Sequence, residues 1–196
     1  MSDLHQNLND LIKREADEIL YKKGLIDILT SFGTPHIHGS YILDLMTWRD
    51  LDIYLEVETI SESKFFMLGE RICNSFAPVK MSYRNEIKAK TKGLPSGLYW
   101  GIYLGNERDG AWKIDIWAVS ASECERLLQF GNTIKQKLTA ETSQAILDIK
   151  SQCWRDAAYR RTYSSADIYK AVLENNVTGI EGFKEYLNQT IQMNRP

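Results

Sequence analysis

Between residues 4 and 31 the apolar side chains fall at Leu8, Leu11, Ile12, Ala16, Ile19, Leu20, Leu25, Ile28 and Leu29. Steps of three and four residues put them on one helical face. Gly24 interrupts the run, so the pattern predicts one long helix or two in succession. Phe32-Gly33-Thr34-Pro35 ends it, and residues 36–38 predict a short strand leading into Gly39-Ser40. A short helix is expected over 41–46. From 50 to 57 the period drops to two. Leu51, Ile53, Leu55 and Val57 point one way, and Asp50, Asp52, Tyr54 and Glu56 the other, which is the pattern of a half-buried strand. Ser61 or Ser63 can cap a helix reaching about residue 76. Three more strands are expected over 79–87, 98–104 and 111–119, the last two joined by a turn-rich loop at 105–110.

Past Ser120 the pattern is helical to the end. Ser120-Ala121-Ser122-Glu123 has the form of a capping box. Helices are expected over 139–159, 166–175 and 179–190, the last capped by Thr178. The sum is an α/β (α+β) fold in which a mixed sheet of about five strands is flanked by helices. Residues 1–120 form the α/β unit, and a helical C-terminal region at 121–196 closes one side of a cleft.

Composition changes this picture little. An apolar share of 43% and a charged share of 26% are those of an ordinary globular protein. The net charge of −2 gives no basic excess of the kind a duplex-binding protein shows, although a local patch can hide in a balanced total. The cysteines Cys73, Cys124 and Cys153 are far apart and lack metal-ligand spacing, as expected of a reduced protein. The chain shows neither an apolar leader core nor an uninterrupted apolar run of about 18 residues, so a cytoplasmic location is expected and a membrane partner is not.

The chemistry concentrates between His38 and Ile53. Asp50 and Asp52 are two apart on one strand, so both carboxylates leave the same face with their Cα atoms about 7 Å apart. Paired carboxylates suit hard cations, which take oxygen ligands. Gly39-Ser40 ends the preceding strand. A glycine allows a phosphate to approach the backbone, a following helix would supply oriented N–H groups, and the Ser40 hydroxyl adds a donor. Asp115 is the third acid, in Trp112-Lys113-Ile114-Asp115-Ile116-Trp117. Its apolar neighbours alternate into the core, and a lone acid there is costly unless it is paired or ligates a metal. Lys113 shares its face and either touches phosphate or neutralises Asp115.

Gly39-Ser40, nine residues, Asp50-Leu51-Asp52 and the later strand acid Asp115 together resemble the polymerase-beta-like nucleotidyltransferase superfamily. The helical tail resembles that of its small drug-modifying members, the aminoglycoside and lincosamide nucleotidyltransferases. The resemblance implies a magnesium-dependent enzyme that transfers a nucleoside monophosphate from a nucleoside triphosphate, ATP among them, and releases pyrophosphate. It further implies two Mg²⁺ ions (or Mn²⁺) on Asp50, Asp52 and Asp115, phosphates at Gly39, Ser40 and Lys113, and a hydroxyl-bearing small-molecule acceptor. A minimal toxin-antitoxin-like member acting on a protein or RNA, an inactive nucleotide-binding module, and a homodimer are the alternatives it leaves open. Tyr41-Ile42-Leu43 stands where small members carry Ala-Arg-Gly, and Arg49 where a small residue precedes the first acid.

Other residues have plainer readings. His36 and His38 flank Ile37 at zinc-like spacing, but without matching ligands they read as strand-end residues. Lys88, Lys90 and Lys92 read as a solvated strand edge or as a triphosphate or nucleic-acid contact. Tyr99, Trp100 and Tyr103 either line an acceptor pocket or pack. Asp44 reads as a helix-surface acid, and Arg160 and Arg161 as a solvated helix end that could reach a triphosphate.

Overall fold

The computed structural model of the protein describes residues 2–193. It is an α/β structure of N-terminal helices, a five-stranded mixed sheet and C-terminal helices. Helix α1 (Ser2–Asp17) runs into a π-turn at Glu18–Lys22, and α2 (Leu25–Thr30) follows. Gly24 makes the break, with φ of 76° in the left-handed region that glycine adopts without a Cβ penalty. Strands β1 (Thr34–His38) and β2 (Asp50–Glu56) precede α3 (Glu62–Phe76), which Ser61 caps by accepting from the Lys64 amide. Strand β3 (Lys80–Asn85) gives way to a single turn, α4 (Glu86–Ala89), then to β4 (Gly97–Tyr103) and β5 (Lys113–Val119). The remaining helices are α5 (Ala121–Lys137), α6 (Ala140–Cys153), α7 (Ser165–Asn175) and α8 (Ile180–Met193).

The sheet order is β1-β2-β5-β4-β3, with β2 and β5 parallel and every other pair antiparallel. On one face Leu51, Ile53, Leu55, Ile114, Ile116, Leu98, Trp100 and Ile102 build a core with α1, α2 and α3. A second cluster joins α5 to α8 and takes in Leu43, Leu45 and Trp48 from the connection between β1 and β2.

That connection is not the helix expected over 41–46. It is a chain of turns with Gly39 and Asp44 at φ of 65° and 57°. Tyr41 and Met46 pack into the first core, whereas Leu43, Leu45 and Trp48 pack into the second. Six residues make a marginal helix at best, and one helical stripe cannot serve two cores on opposite sides. The oriented amides of a helix N-terminus are therefore missing after Ser40. Asp44 is a turn residue that pairs with Lys13.

Two other expectations also shift. Residues 86–89 form α4 rather than the end of a strand, and Lys88 is engaged with Glu62. The helix expected to reach residue 159 ends at Cys153, and Asp156 accepts from the Ala158 amide in the irregular segment beyond. Ser120 caps α5 through the Glu123 amide, while the Glu123 carboxylate turns to the Ser96 amide and Arg126. The reciprocal capping boxes form at Thr139 and Ser164 instead.

Candidate active site

The face of the sheet away from the first core carries the candidate residues, and strand register sets them in rows. One row runs His38, Asp52, Asp115, Gly101 and Ser82. The rows beside it are Asp50, Lys113, Tyr103 and Lys80 on one side, and His36, Tyr54, Trp117, Tyr99 and Arg84 on the other. The parallel pairing of β2 with β5 therefore puts Asp115 directly beside Asp52. Asp50, Asp52 and Asp115 each present a carboxylate oxygen within 4.8 Å of the other two.

This proximity is electrostatically costly. The Asp52 carboxyl is pushed up to about 8, first by burial and then by the charges of Asp50 and Asp115. Burial raises the Asp50 carboxyl as well, against the pull of Lys113. The Asp50 Oδ1 atom is buried with no hydrogen-bond partner. Lys113, itself buried, contacts Asp115 and lies 3.6 Å from Asp50 Oδ1. Burial works against its ammonium, yet the Asp50 and Asp115 charges hold it above the ordinary lysine range. In this structure Lys113 thus serves as counter-charge to the acids. Tyr99 donates to Asp115 Oδ1 at 2.8 Å, so the third acid is held from two sides. One orphaned buried oxygen and three clustered carboxylates, two of them held by Lys113, form an all-oxygen donor set suited to Mg²⁺.

Gly39 and Ser40 close the other side. At Gly39 φ is positive, and a Cβ would run into the Asp52 carboxylate, so both backbone and space demand glycine. The Ser40 hydroxyl meets a residue that pattern reading passed over. Lys150 of α6 is 1% exposed and donates to Ser40 Oγ at 2.6 Å and to the Leu45 carbonyl at 2.5 Å. Tyr169 of α7 stands 3.5 Å from both Lys150 Nζ and Ser40 Oγ. Among the described residues no carboxylate lies within salt-bridge distance of Lys150. The signal was present in the chain. Lys150 follows Ile146 by four and Leu147 by three, on the stripe that α6 buries.

The aromatic alternatives are resolved by alternation. Trp100 points into the core and donates to the Phe65 carbonyl, while Tyr99 and Tyr103 stand on the site face. Arg160 is not at a solvated helix end. It lies over the Trp48 ring at 4.4 Å, pairs with Glu107 at 2.7 Å, and contributes its charge to the surroundings of Asp50. Arg49 turns away from the acids to make a bidentate pair with Glu15 of α1, at 2.5 and 2.7 Å. His38 is buried against Gly131 of α5, with its imidazole pushed down to about 4 by burial. His36 meets Glu56 at 3.1 Å, with Cys124 beside them.

Neither family models nor curated proteins give a match to this chain. Among the described residues no helix is long and apolar enough to cross a membrane.

Proposed function

We propose that the protein is a magnesium-dependent nucleotidyltransferase that moves a nucleoside monophosphate from a nucleoside triphosphate to an acceptor hydroxyl. The observation that carries this reading is the buried Lys150–Ser40 pair, set one residue beyond Gly39, whose Cα abuts the Asp52 carboxylate. A buried ammonium with no carboxylate at salt-bridge distance is costly, and a phosphate group would supply a closer anion than Asp52 does. The three acids and Lys150 thus meet at the Gly39-Ser40 turn, where Asp52 feels the Lys150 charge. A metal-bridged triphosphate satisfies both.

Asp50, Asp52 and Asp115 would hold Mg²⁺, which when bound neutralises the charge developing on the transferred phosphoryl group. Ser40 and Lys150 orient the terminal phosphates, and Gly39 leaves room for the Asp52 carboxylate beside them. The acceptor oxygen bonds to the α-phosphorus, the bond to pyrophosphate breaks, and pyrophosphate leaves with the electron pair. Asp115, held in place by Tyr99 and Lys113, takes the hydroxyl proton. Catalysis is then mainly positioning and charge neutralisation in a half-buried site. Three free cysteines suit a reducing compartment such as the cytoplasm.

Calorimetric titration with a nonhydrolysable nucleoside triphosphate in Mg²⁺ tests the reading. Wild-type protein should bind it, and Asp50→Asn/Asp52→Asn should lose most of that affinity. Equal binding by the two proteins, or binding by neither, would sink the assignment.

A further inference from the structure

We infer that His36, Glu56 and Cys124 form a second metal site, built for Zn²⁺, that fastens the start of α5 to the edge of the sheet. None of these residues belongs to the proposed nucleotidyl-transfer site.

Three elements supply the donors. His36 comes from β1, Glu56 from the end of β2, and Cys124 from near the start of α5. A His36 ring nitrogen, a Glu56 carboxylate oxygen and the Cys124 sulfur all lie within 4.8 Å of one another. His36 Nε2 and Glu56 Oε2 are 3.1 Å apart. Two donors on tetrahedral metal bonds of about 2.0 Å stand about 3.3 Å apart. Both side chains are partly exposed, so they are free to turn toward the sulfur. Cys124 itself is fully buried. The site therefore has a closed floor and a solvent side, where water completes a fourth position.

The seating of Cys124 points the same way. A buried free cysteine ordinarily packs as a small apolar side chain, yet Cys124 belongs to neither of the two cores. Of its 17 residues α5 buries Cys124, Gly131 and Ile134, and Ile134 goes to the second core. Leu127 and Leu128 are only half-buried. Cys124 and Gly131 stand about two turns apart on one helical face. Gly131 makes room for the His38 ring, while Cys124 meets His36 and Glu56. The part of α5 over β1 and β2 thus rests on a thiol and a glycine, which offer little apolar area. A metal–thiolate bond supplies the anchor that packing does not.

Donor chemistry selects the ion. Mg²⁺ takes oxygen ligands, which Asp50, Asp52 and Asp115 offer. A thiolate with an imidazole and one carboxylate suits Zn²⁺. As the ion binds, the Cys124 thiol releases its proton to solvent and the sulfur takes the metal in its place. Glu56 follows Asp52 by four residues on β2, about 13 Å along the strand, so the two sites share no ligand. The spacing of His36 and His38 points to a histidine pair, but His38 turns under Gly131. His36 instead meets a cysteine from a distant helix.

The test is equilibrium dialysis of the intact protein against micromolar Zn²⁺ in millimolar Mg²⁺, followed by elemental analysis. Wild type should retain one zinc ion per chain. Cys124→Ser and His36→Gln should each weaken zinc at least about a hundredfold, since even outer-shell partners are worth about 10–100-fold. Cys73→Ser and Asp50→Asn/Asp52→Asn should keep it. Co²⁺ in place of Zn²⁺ should give a thiolate-to-metal charge-transfer absorption that Cys124→Ser abolishes and Cys73→Ser leaves intact. Zinc should also raise the Tm of wild type and not that of His36→Gln. Circular dichroism checks the fold of each variant, and the partly exposed His36 keeps the test decisive if Cys124→Ser does not fold. No zinc in wild type, zinc held equally by Cys124→Ser and His36→Gln, or zinc lost only with Cys73 or the acids would overturn the inference. His36 and Glu56 would then be an ordinary ion pair beside a buried thiol. Because triphosphate binding uses other residues, it can fail while zinc binding succeeds, and the reverse.

Discussion

The acid side of the candidate site and its Ser40–Lys150 side are built in different ways. Asp50, Asp52 and Asp115 stand on adjacent parallel strands whose ladder hydrogen bonds hold their spacing. Ser40 stands on a connection of turns, and its position depends on Lys150 arriving from a helix 110 residues further on. The acid side is rigid and carries excess negative charge. The Ser40 side is assembled from the two hydrophobic cores and buries the Lys150 ammonium. Local sequence can specify the face from which each acid leaves, because a strand's period places its side chains, while strand pairing sets Asp115 beside Asp52. The second exists only when the C-terminal helices dock.

Lys150→Met should show the largest difference between the sides. Triphosphate affinity should fall by about 3 kcal/mol, the usual cost of removing one member of a buried charge pair. Unfolding stability without ligand should stay the same or rise, because the buried charge is gone. Calorimetry and chemical denaturation read the two quantities separately. A loss of stability as large as the loss of affinity would mean that Lys150 is chiefly structural.

Gly39→Ala strikes the seam between the sides. The positive φ and the collision with Asp52 should together cost about 2–3 kcal/mol of stability by urea denaturation. Metal affinity should fall with it as the Asp52 carboxylate is displaced. Unchanged Mg²⁺ titration in this variant would show that Asp52 is not a ligand.

His38 reports on the docking of α5 over β2. Its folded pKa of about 4 lies below the 6.5 of the free group. An imidazole so depressed contributes stability that is complete above pH 6.5 and is lost as pH falls toward 4, because the unfolded chain takes the proton first. Between pH 7 and pH 5 the contribution should drop by about 2 kcal/mol. It is read as the difference between wild type and His38→Gln, so that carboxylates common to both cancel. A difference that stays constant over this range would mean that His38 is solvated in the folded protein.

Glu15→Gln should have the smallest effect. It removes one charge from a partly exposed bidentate pair that anchors the start of β2 to α1, and should cost about 1 kcal/mol in a thermal melt. Triphosphate binding should be unaffected, since Arg49 points away from the acids.

The parts of the site that were legible in the chain are the parts that a strand period governs. Alternation in 50–57 put Asp50 and Asp52 on one face, and alternation in 113–119 did the same for Lys113 and Asp115. The distance from Gly39-Ser40 to Asp50 was legible as spacing, but the intervening helix was not there, because its side chains serve two cores. Lys150 was legible only as a charge on an apolar stripe, and nothing in its own segment says that Ser40 lies above it.

By itself, then, the sequence determined the strands, most of the helices and the shared face of each acid pair. These follow from side-chain period and from caps within a few residues, which are short-range physics. Tertiary structure alone decided that Asp115 stands beside Asp52 and that Lys150 reaches Ser40. Each depends on residues tens of positions apart meeting in a packed core. Local period carries no information about which strand pairs with which, or about which helix buries a charge against a distant turn.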